Sequence, residues 1–253
     1  MYPSDLSDEE WKLICHHFEP KDRRGSGHKQ PKKLMVDAIL YVVKGGIPWR
    51  LMPNDFPCWQ TVYDHFRNWN QQGVWENALD QLNQIHRKKK GRTETPSYGI
   101  IDSQSVKTQY PSHDRGFDGN QQVKGRKRHG VVDILGNLVT IVVHSATQSD
   151  TVAGCQVLAK ASHKHKTIKA FSGDQGYPGT AVEFVKKELR LSLTISVKKE
   201  GGFTVLPKRW IVERTFAWLG NFRRLAKDFE ILTSMAENVI RLAMLKITIA
   251  KCL

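Results

Sequence analysis

The sequence predicts an α/β fold, a mixed sheet flanked by helices, that follows a small all-helical N-terminal domain. Helix signals fill the first third of the chain, a charged segment closed by proline follows, and apolar runs typical of strands then alternate with helical stretches. The 253 residues are 40% hydrophobic and 25% charged, which is typical of a folded chain with a sizeable core.

Four helices are predicted for an N-terminal domain at residues 1–86. Ser7 and Glu10 have the spacing of a capping box, which predicts the start of the first helix. Gly45 and Gly46 predict the end of the second helix, because glycine favours the left-handed backbone that follows a helix. The helices after the first are predicted at residues 34–44, 59–69 and 74–85.

A basic linker is predicted at residues 87–97, followed by a second domain at residues 98–253. Gly136 and Asn137 separate two apolar runs and predict a hairpin turn, and the later alternation of strands and helices predicts crossover connections. An antiparallel hairpin followed by crossovers indicates a mixed sheet. The strands are predicted at residues 98–102, 129–134, 138–144, 168–172 and 191–197, and the helices at 151–161, 180–189, 207–227 and 234–250.

The charge of the chain points to a polyanionic partner. Thirty-nine Lys and Arg residues face 25 Asp and Glu residues, for a formal net charge of +14. Such an excess repels itself unless a polyanion shares it, and nucleic acid gains affinity from the counterions that it releases. A merely basic soluble protein is the alternative at this stage.

Several classes of protein are disfavoured by the sequence. The four cysteines stand far apart, so neither a zinc ribbon nor a redox pair is indicated, and reduced thiols in a cytoplasm are the simplest explanation. The acidic N-terminus is unlike a secretory signal. Arg241, Lys246 and Lys251 interrupt the C-terminal apolar run, so we expect no membrane span there.

Two aspartates follow predicted strands, and a glutamate lies on a predicted long helix. Asp102 ends the first strand of the second domain and Asp174 ends the fourth. If these strands are neighbours, two carboxylates meet at one sheet edge, and a hard divalent cation such as magnesium or manganese would remove their repulsion. Glu213 points about 200° away from the apolar stripe of its helix, on nearly the same line as Arg209 and Arg224.

These acidic residues also have ordinary explanations. A single aspartate after a strand is most often a turn or cap residue, and Glu213 could belong to a solvated face with one ion pair. Asp118, Asp133 and Asp150 are further carboxylates in or beside loops. The spacing of the residues does not choose between these readings.

Five blocks of sequence follow one another along the second domain. They are Ile101-Asp-Ser-Gln-Ser-Val-Lys107, Val123-Lys-Gly-Arg-Lys-Arg-His129, Val132-Asp-Ile-Leu-Gly136, Gly173-Asp-Gln-Gly-Tyr177 and Arg209-Trp-Ile-Val-Glu-Arg-Thr-Phe216. Together these blocks resemble the insertion-sequence transposases of the insertion-sequence-five group, and the first third of the chain resembles their N-terminal domain. The resemblance implies a ribonuclease-H-like catalytic domain and an Asp-Asp-Glu triad of Asp102, Asp174 and Glu213 that holds two Mg²⁺ or Mn²⁺ ions. It also implies cutting and joining of DNA at terminal inverted repeats.

The sequence departs from the related signature at two positions. That signature has Tyr three residues before Arg209 and Lys seven residues after Glu213, where this chain has Leu206 and Gly220. A basic role on the helix could therefore pass to a later arginine. The basic residues expected to bind DNA are Lys124, Arg126, Lys127, Arg128, Arg209, Arg223 and Arg224, and the helix at residues 59–69 is a candidate recognition helix.

The expected partners are terminal inverted repeats and target DNA, bound by a homo-oligomer in a bacterial cytoplasm, because joining two ends needs at least two active sites. A metal-dependent DNA nuclease of the same fold is one alternative, since it shares the metal chemistry. A non-catalytic DNA-binding remnant is another, and the presence of all three triad residues argues against it.

Overall fold

Six strands form one mixed sheet in the computed structural model, which describes residues 2–19, 31–196 and 208–253. The strand order is β2–β3–β1–β5–β6, and β4 also pairs with β3. β1 is antiparallel to β3 and parallel to β5, so the predicted mixed sheet is confirmed. The strands are β1 (Tyr98–Lys107), β2 (Gly116–Asp118), β3 (Val123–Val132), β4 (Leu138–Ser145), β5 (Ala170–Gly173) and β6 (Ser192–Ile195).

Helices cover both faces of the sheet because successive strand residues point to opposite sides. Ile100 packs into one core cluster with α7 and α8, and Ile101 packs into the other with α5 and α6. The β3–β4 connection is the hairpin that Gly136 and Asn137 predict, with Gly136 at φ +82°. The helices here are α5 (Asp150–Lys164), α6 (Thr180–Lys187), α7 (Arg209–Leu219) and α8 (Thr233–Cys252).

The N-terminal helices confirm the local sequence signals. Ser7 Oγ accepts from the backbone N–H of Glu10, and the Glu10 carboxylate accepts from the N–H of Ser7. Gly46 adopts φ +71° at the end of the second helix, where its N–H donates to the carbonyl of Val42. The helices are α1 (Asp8–Ile14), α2 (Lys32–Gly45), α3 (Trp59–Gln71) and α4 (Val74–Lys89).

One continuous core joins these helices to the sheet. Trp75 of α4, Met244 of α8 and Ile100 of β1 belong to the same cluster of buried side chains. Polar contacts add to this packing, because Arg241 of α8 pairs with Glu76 of α4 at 3.3 Å. The helix α8 therefore lies between the N-terminal helices and the sheet.

The predicted basic linker differs from the observed structure at its start. Helix α4 continues to Lys89, so the first residues of the predicted linker are helical. Arg87 is buried, and its Nη1 lies 2.5 Å from Oδ2 of Asp133. Asp133 also accepts from the N–H groups of Leu135 and Asn137, which is the ordinary turn role considered for it. Residues 88–94 are exposed.

Other boundaries also differ from the predictions. β1 extends five residues beyond Asp102, because β3 pairs with it as far as Lys107. Helix α7 ends at Leu219, so Arg224 does not lie on it, and the predicted common line with Glu213 is wrong. Leu206 and Pro207, the first residue of the helix predicted at 207–227, lie outside the described residues. None of the helices that the structure describes is long and apolar enough to cross a membrane.

Candidate active site

Asp102 and Asp174 lie at neighbouring positions on two parallel strands. β1 and β5 pair from Tyr98 with Ala170 to Ile100 with Ser172. Two residues further along each strand come Asp102, still within β1, and Asp174, directly after the end of β5. Because neighbouring strands are about 4.8 Å apart, this register brings the two carboxylates together at the carboxyl ends of the strands.

The turn after β5 holds Asp174 in place. Oδ1 of Asp174 accepts from the N–H of Gly176 at 2.8 Å, which closes a tight turn. A Cβ on Gly173 would lie 2.9 Å from the ring of Tyr177 and 3.0 Å from Ile101, so only glycine fits there without a shift. Tyr177 is buried, and its hydroxyl lies 2.8 Å from Nε2 of His129 in β3. This turn is thus fastened to the sheet interior.

Glu213 reaches the same region from α7, through Arg209. Nε of Arg209 lies 2.9 Å from Oε1 of Glu213, and its Nη2 lies 3.4 Å from Oδ2 of Asp174. The guanidinium therefore bridges two of the three predicted triad carboxylates. Glu213 is 53% exposed, and Asp174 and Arg209 are about half as exposed at 27% and 26%.

Asp102 occupies the least favourable position for a charge in this group. Burial raises its pKa to about 7, the negative charges of Asp174 and Glu213 act in the same direction, and a backbone hydrogen bond from Ser103 and the charge of Arg209 oppose them. Perturbed carboxyl groups of this kind are concentrated at functional sites.

Asp150 is a fourth carboxylate beside this site, which the sequence placed in a loop without a role. It is the first residue of α5, and its Oδ1 accepts from Oγ of Ser103 at 2.8 Å. Nζ of Lys127 lies 3.0 Å from the same oxygen. A Cβ built on Gly176 would lie 2.9 Å from Oδ1 of Asp174 and 3.6 Å from Oδ2 of Asp150. Sequence reasoning missed Asp150 because it lies in α5, 47 residues after Ser103, and only the fold brings the two together.

The basic stretch in β3 is largely internal. Arg126 is fully buried, pairs with Asp228 at 3.0 Å and donates to backbone carbonyls. Arg128 is buried and donates to the carbonyl of Leu225 at 2.8 Å. Lys127 is buried between acidic residues. Of the four basic residues of β3 that were predicted to bind DNA, Lys124 is therefore the exposed one.

Arg223 and Arg224, which follow α7, also differ in exposure. Arg224 is buried, pairs with Glu230 at 2.8 Å and donates to the carbonyl of Ile47. Arg223 beside it is exposed. Gly220, where the related signature has lysine, follows the last residue of α7 and is exposed.

The donor set suits a divalent cation, although no metal arrangement is preformed. Within the described ranges, no group of three or more His, Cys, Asp or Glu side chains is placed to hold a metal ion. Asp102, Asp174 and Glu213 offer only carboxylate oxygens, the ligands that Mg²⁺ and Mn²⁺ prefer. A cation of the chain, Arg209, already lies between two of them. The chemistry of these three side chains is therefore suitable for binding a divalent cation.

Two family models match the chain. A model of transposases of the IS4/5 family matches residues 6–79, and the model of the transposase DDE domain matches residues 93–245. An uncharacterized 16.2 kDa protein of insertion element IS402 from Burkholderia cepacia is 34% identical over 86 residues, which is 30% of this chain. The chain spans 56% of the length of that relative. No solved structure matches the chain.

Proposed function

Since the chain belongs to the transposases that carry a DDE domain, we propose that it cuts and joins DNA at the ends of an insertion sequence. The family has a ribonuclease-H-like fold, and the strand order agrees with it, which confirms the predicted fold class. The reaction would be metal-dependent phosphodiester hydrolysis followed by transesterification. The observation that carries the proposal is the bridging of Asp174 and Glu213 by Arg209, with Asp102 at the same end of the neighbouring strand β1.

We assign the catalytic and metal-binding roles to Asp102, Asp174 and Glu213. Asp102 lies on the rigid central strand β1, and Asp174 is fixed by its turn, so both would offer oxygens with little rearrangement. Glu213 is more exposed and comes from a helix, so it would complete the ligand set from the other side. Two bound Mg²⁺ or Mn²⁺ ions would activate the attacking hydroxyl and stabilise the leaving oxygen.

Arg209 has a different role in this proposal. Its guanidinium neutralises Asp174 and Glu213 in the structure described here. When Asp174 and Glu213 hold a divalent cation, Arg209 would be free to contact a DNA phosphate in a bidentate manner. The attack on the phosphodiester is in line, so the chain mainly positions the reacting groups and offsets their charge.

DNA contact is proposed for the exposed cations of the predicted set. Lys124 in β3 and Arg223 after α7 are exposed, and Arg209 is partly exposed beside the carboxylates. Arg126, Arg128 and Arg224 have internal partners, so we assign them to the stability of the fold, and Lys127 is paired with Asp150 and not assigned to DNA contact. The N-terminal helices, with α3 as the candidate recognition helix, would add sequence-specific contacts to terminal inverted repeats. A homo-oligomer would hold two such ends together.

A cleavage and joining assay tests the proposal. The substrate is a labelled duplex that carries the DNA flanking this gene, incubated with Mg²⁺ or Mn²⁺. We expect specific cuts at the element end and joined products with the native chain, and neither with Glu213→Gln. Glu183→Gln is the matched control, because Glu183 is an exposed helical glutamate in an ion pair with Lys187.

Each outcome has a distinct meaning. Cutting without joining would favour a nuclease of the same fold. Cutting that survives Glu213→Gln would contradict the choice of the third carboxylate. Metal-independent DNA binding without cutting on every flanking duplex would favour a non-catalytic remnant.

A further inference from the structure

Ser103, the residue after Asp102, connects the proposed metal site to the ion pair of Lys127 and Asp150. The backbone N–H of Ser103 donates to Oδ1 of Asp102 at 2.8 Å. The hydroxyl of the same Ser103 donates to Oδ1 of Asp150 at 2.8 Å. Ser103 therefore makes two hydrogen bonds, one from its hydroxyl to Asp150 and one from its backbone N–H to the carboxylate of Asp102.

Lys127 fixes Asp150 from the neighbouring strand β3. Its side chain is 6% exposed, and Nζ donates to Oδ1 of Asp150 at 3.0 Å and to the carbonyl of Gln148 at 3.1 Å. The carboxylate of Asp118 lies 3.6 Å away on another side of the ammonium group. A buried ammonium with three oxygen partners has little freedom to move, so Asp150 is held at the start of α5.

We propose that Lys127 and Asp150 form a positioning pair for Asp102, acting through Ser103, in the metal-dependent reaction. The inference rests on the proposed function. Outer hydrogen-bond partners commonly orient metal-binding carboxylates, and their loss typically lowers metal affinity by about 10–100-fold. Lys127, predicted from the sequence to contact DNA, thereby acquires a role inside the site.

The sign of the effect at Lys127 separates positioning from simple charge. Removing a nearby positive charge with Lys127→Met should tighten metal binding if the ammonium only repels a divalent cation. If Lys127 positions Asp102 through Asp150, the same change should weaken metal binding instead. The two explanations therefore predict opposite shifts of one measured quantity.

Direct binding of Mn²⁺ to the full chain, followed by electron paramagnetic resonance, is the test. We expect the Mn²⁺ Kd to rise about tenfold or more in Lys127→Met, Asp150→Asn and Ser103→Ala. The double variant Lys127→Met/Asp150→Asn should bind no more weakly than the weaker single variant, because both changes break one connection. DNA affinity in EDTA should stay within about twofold, because none of the three side chains is assigned to DNA contact.

Helix α5 provides a matched control at its other end. Lys164 pairs with Glu76 at 2.6 Å and Asp80 at 2.9 Å, and 14 helical residues place it about 21 Å from Asp150. Lys164→Gln should lower stability without changing the Mn²⁺ Kd. Ser103→Ala removes one hydroxyl and no charge, so it tests the connection even if Lys127→Met fails to fold.

The possible failures are distinguishable. If the native chain binds no Mn²⁺ and cuts no DNA in its presence, the proposed function is overturned and this inference with it. If the native chain binds Mn²⁺ and cuts DNA, but Ser103→Ala and Asp150→Asn keep its Mn²⁺ Kd, only the positioning pair is overturned. Tighter Mn²⁺ binding by Lys127→Met would overturn it as well.

Discussion

The acidic site and the basic part of β3 lie side by side, but they differ in how far their charges are compensated by partners within the chain. In β3, Arg126 and Arg128 are buried, and each has an acidic or carbonyl partner. At the site, Asp174 and Glu213 share the charge of Arg209, and burial raises the pKa of Asp102 to about 7. The satisfied region supports the fold, and the region with surplus charge of one sign is the place where a ligand is needed.

The largest expected effect that tests this contrast is on the rate of DNA cutting. Asp102→Asn should reduce DNA cutting by roughly a hundredfold to a thousandfold, the scale seen when one electrostatic contact to a transition state is lost. Cutting by the purified variant is compared with the native chain at saturating Mg²⁺. DNA affinity in EDTA should be unchanged, and a variant that still cuts at a tenth of the native rate would remove Asp102 from the triad.

The next effect concerns stability in β3. Arg126→Met should lower the free energy of unfolding by about 3–5 kcal/mol, because it leaves Asp228 buried without its cation. Urea denaturation of the variant and the native chain measures the difference. Lys124→Met, on the same strand but exposed, serves as the control and should change stability by no more than about 0.5 kcal/mol. Equal losses for the two variants would contradict the division into internal and external cations.

A smaller effect is expected on DNA affinity. Lys124→Gln and Arg223→Gln should each weaken DNA binding and lower the slope of log affinity against log salt by about 1, as expected for one phosphate contact. Binding to a labelled duplex across a salt series gives both values. Lys88→Gln is a suitable comparison, because Lys88 is exposed in an ion pair with Glu94. Unchanged slopes for both variants would place the DNA elsewhere on the surface.

The last effect is a pH dependence of stability without metal. The folded-state pKa of Asp102 is about 7, above its ordinary value of 3.8, so the folded state holds its proton more tightly than the unfolded chain does. Its contribution to stability is full below about pH 4 and is lost as the pH rises towards 7. In EDTA, the stability of Asp102→Asn relative to the native chain should therefore increase from pH 4 to pH 8. A constant difference in stability across this pH range would contradict the raised pKa of Asp102.

Local sequence signals predicted the elements better than the contacts between them. The capping box at Ser7 and the left-handed Gly46 depend on neighbouring residues, and both were predicted. The full length of β1 depends on pairing with β3, and the end of α7 depends on the packing of the residues after it, so neither could be predicted. For the same reason Asp150 was missed, since only the fold brings α5 to Ser103.

The basic stretch in β3 shows the limit of reading charge from sequence. Four cations in five residues are typical of a solvated, DNA-facing loop, but the partners of Arg126 and Lys127 come from segments far along the chain. The carboxylates at Asp102 and Asp174 were predicted to meet because they follow strands, a local signal, and the register of β1 and β5 brings them to one edge. Glu213 could be placed only through the resemblance to a family.

The position of α8 has a consequence for how the chain is made. Its Met244 and Leu245 complete the core that the N-terminal helices share with the sheet, yet α8 is translated after every other described element. At a synthesis rate of 5–20 residues per second, roughly ten seconds or more pass between the synthesis of α2 and α4 and that of α8. The apolar faces of α2 and α4 lack this partner during that time. During that interval a newborn chain exposes surfaces that chaperones recognise, so the rate of translation influences how much of it matures.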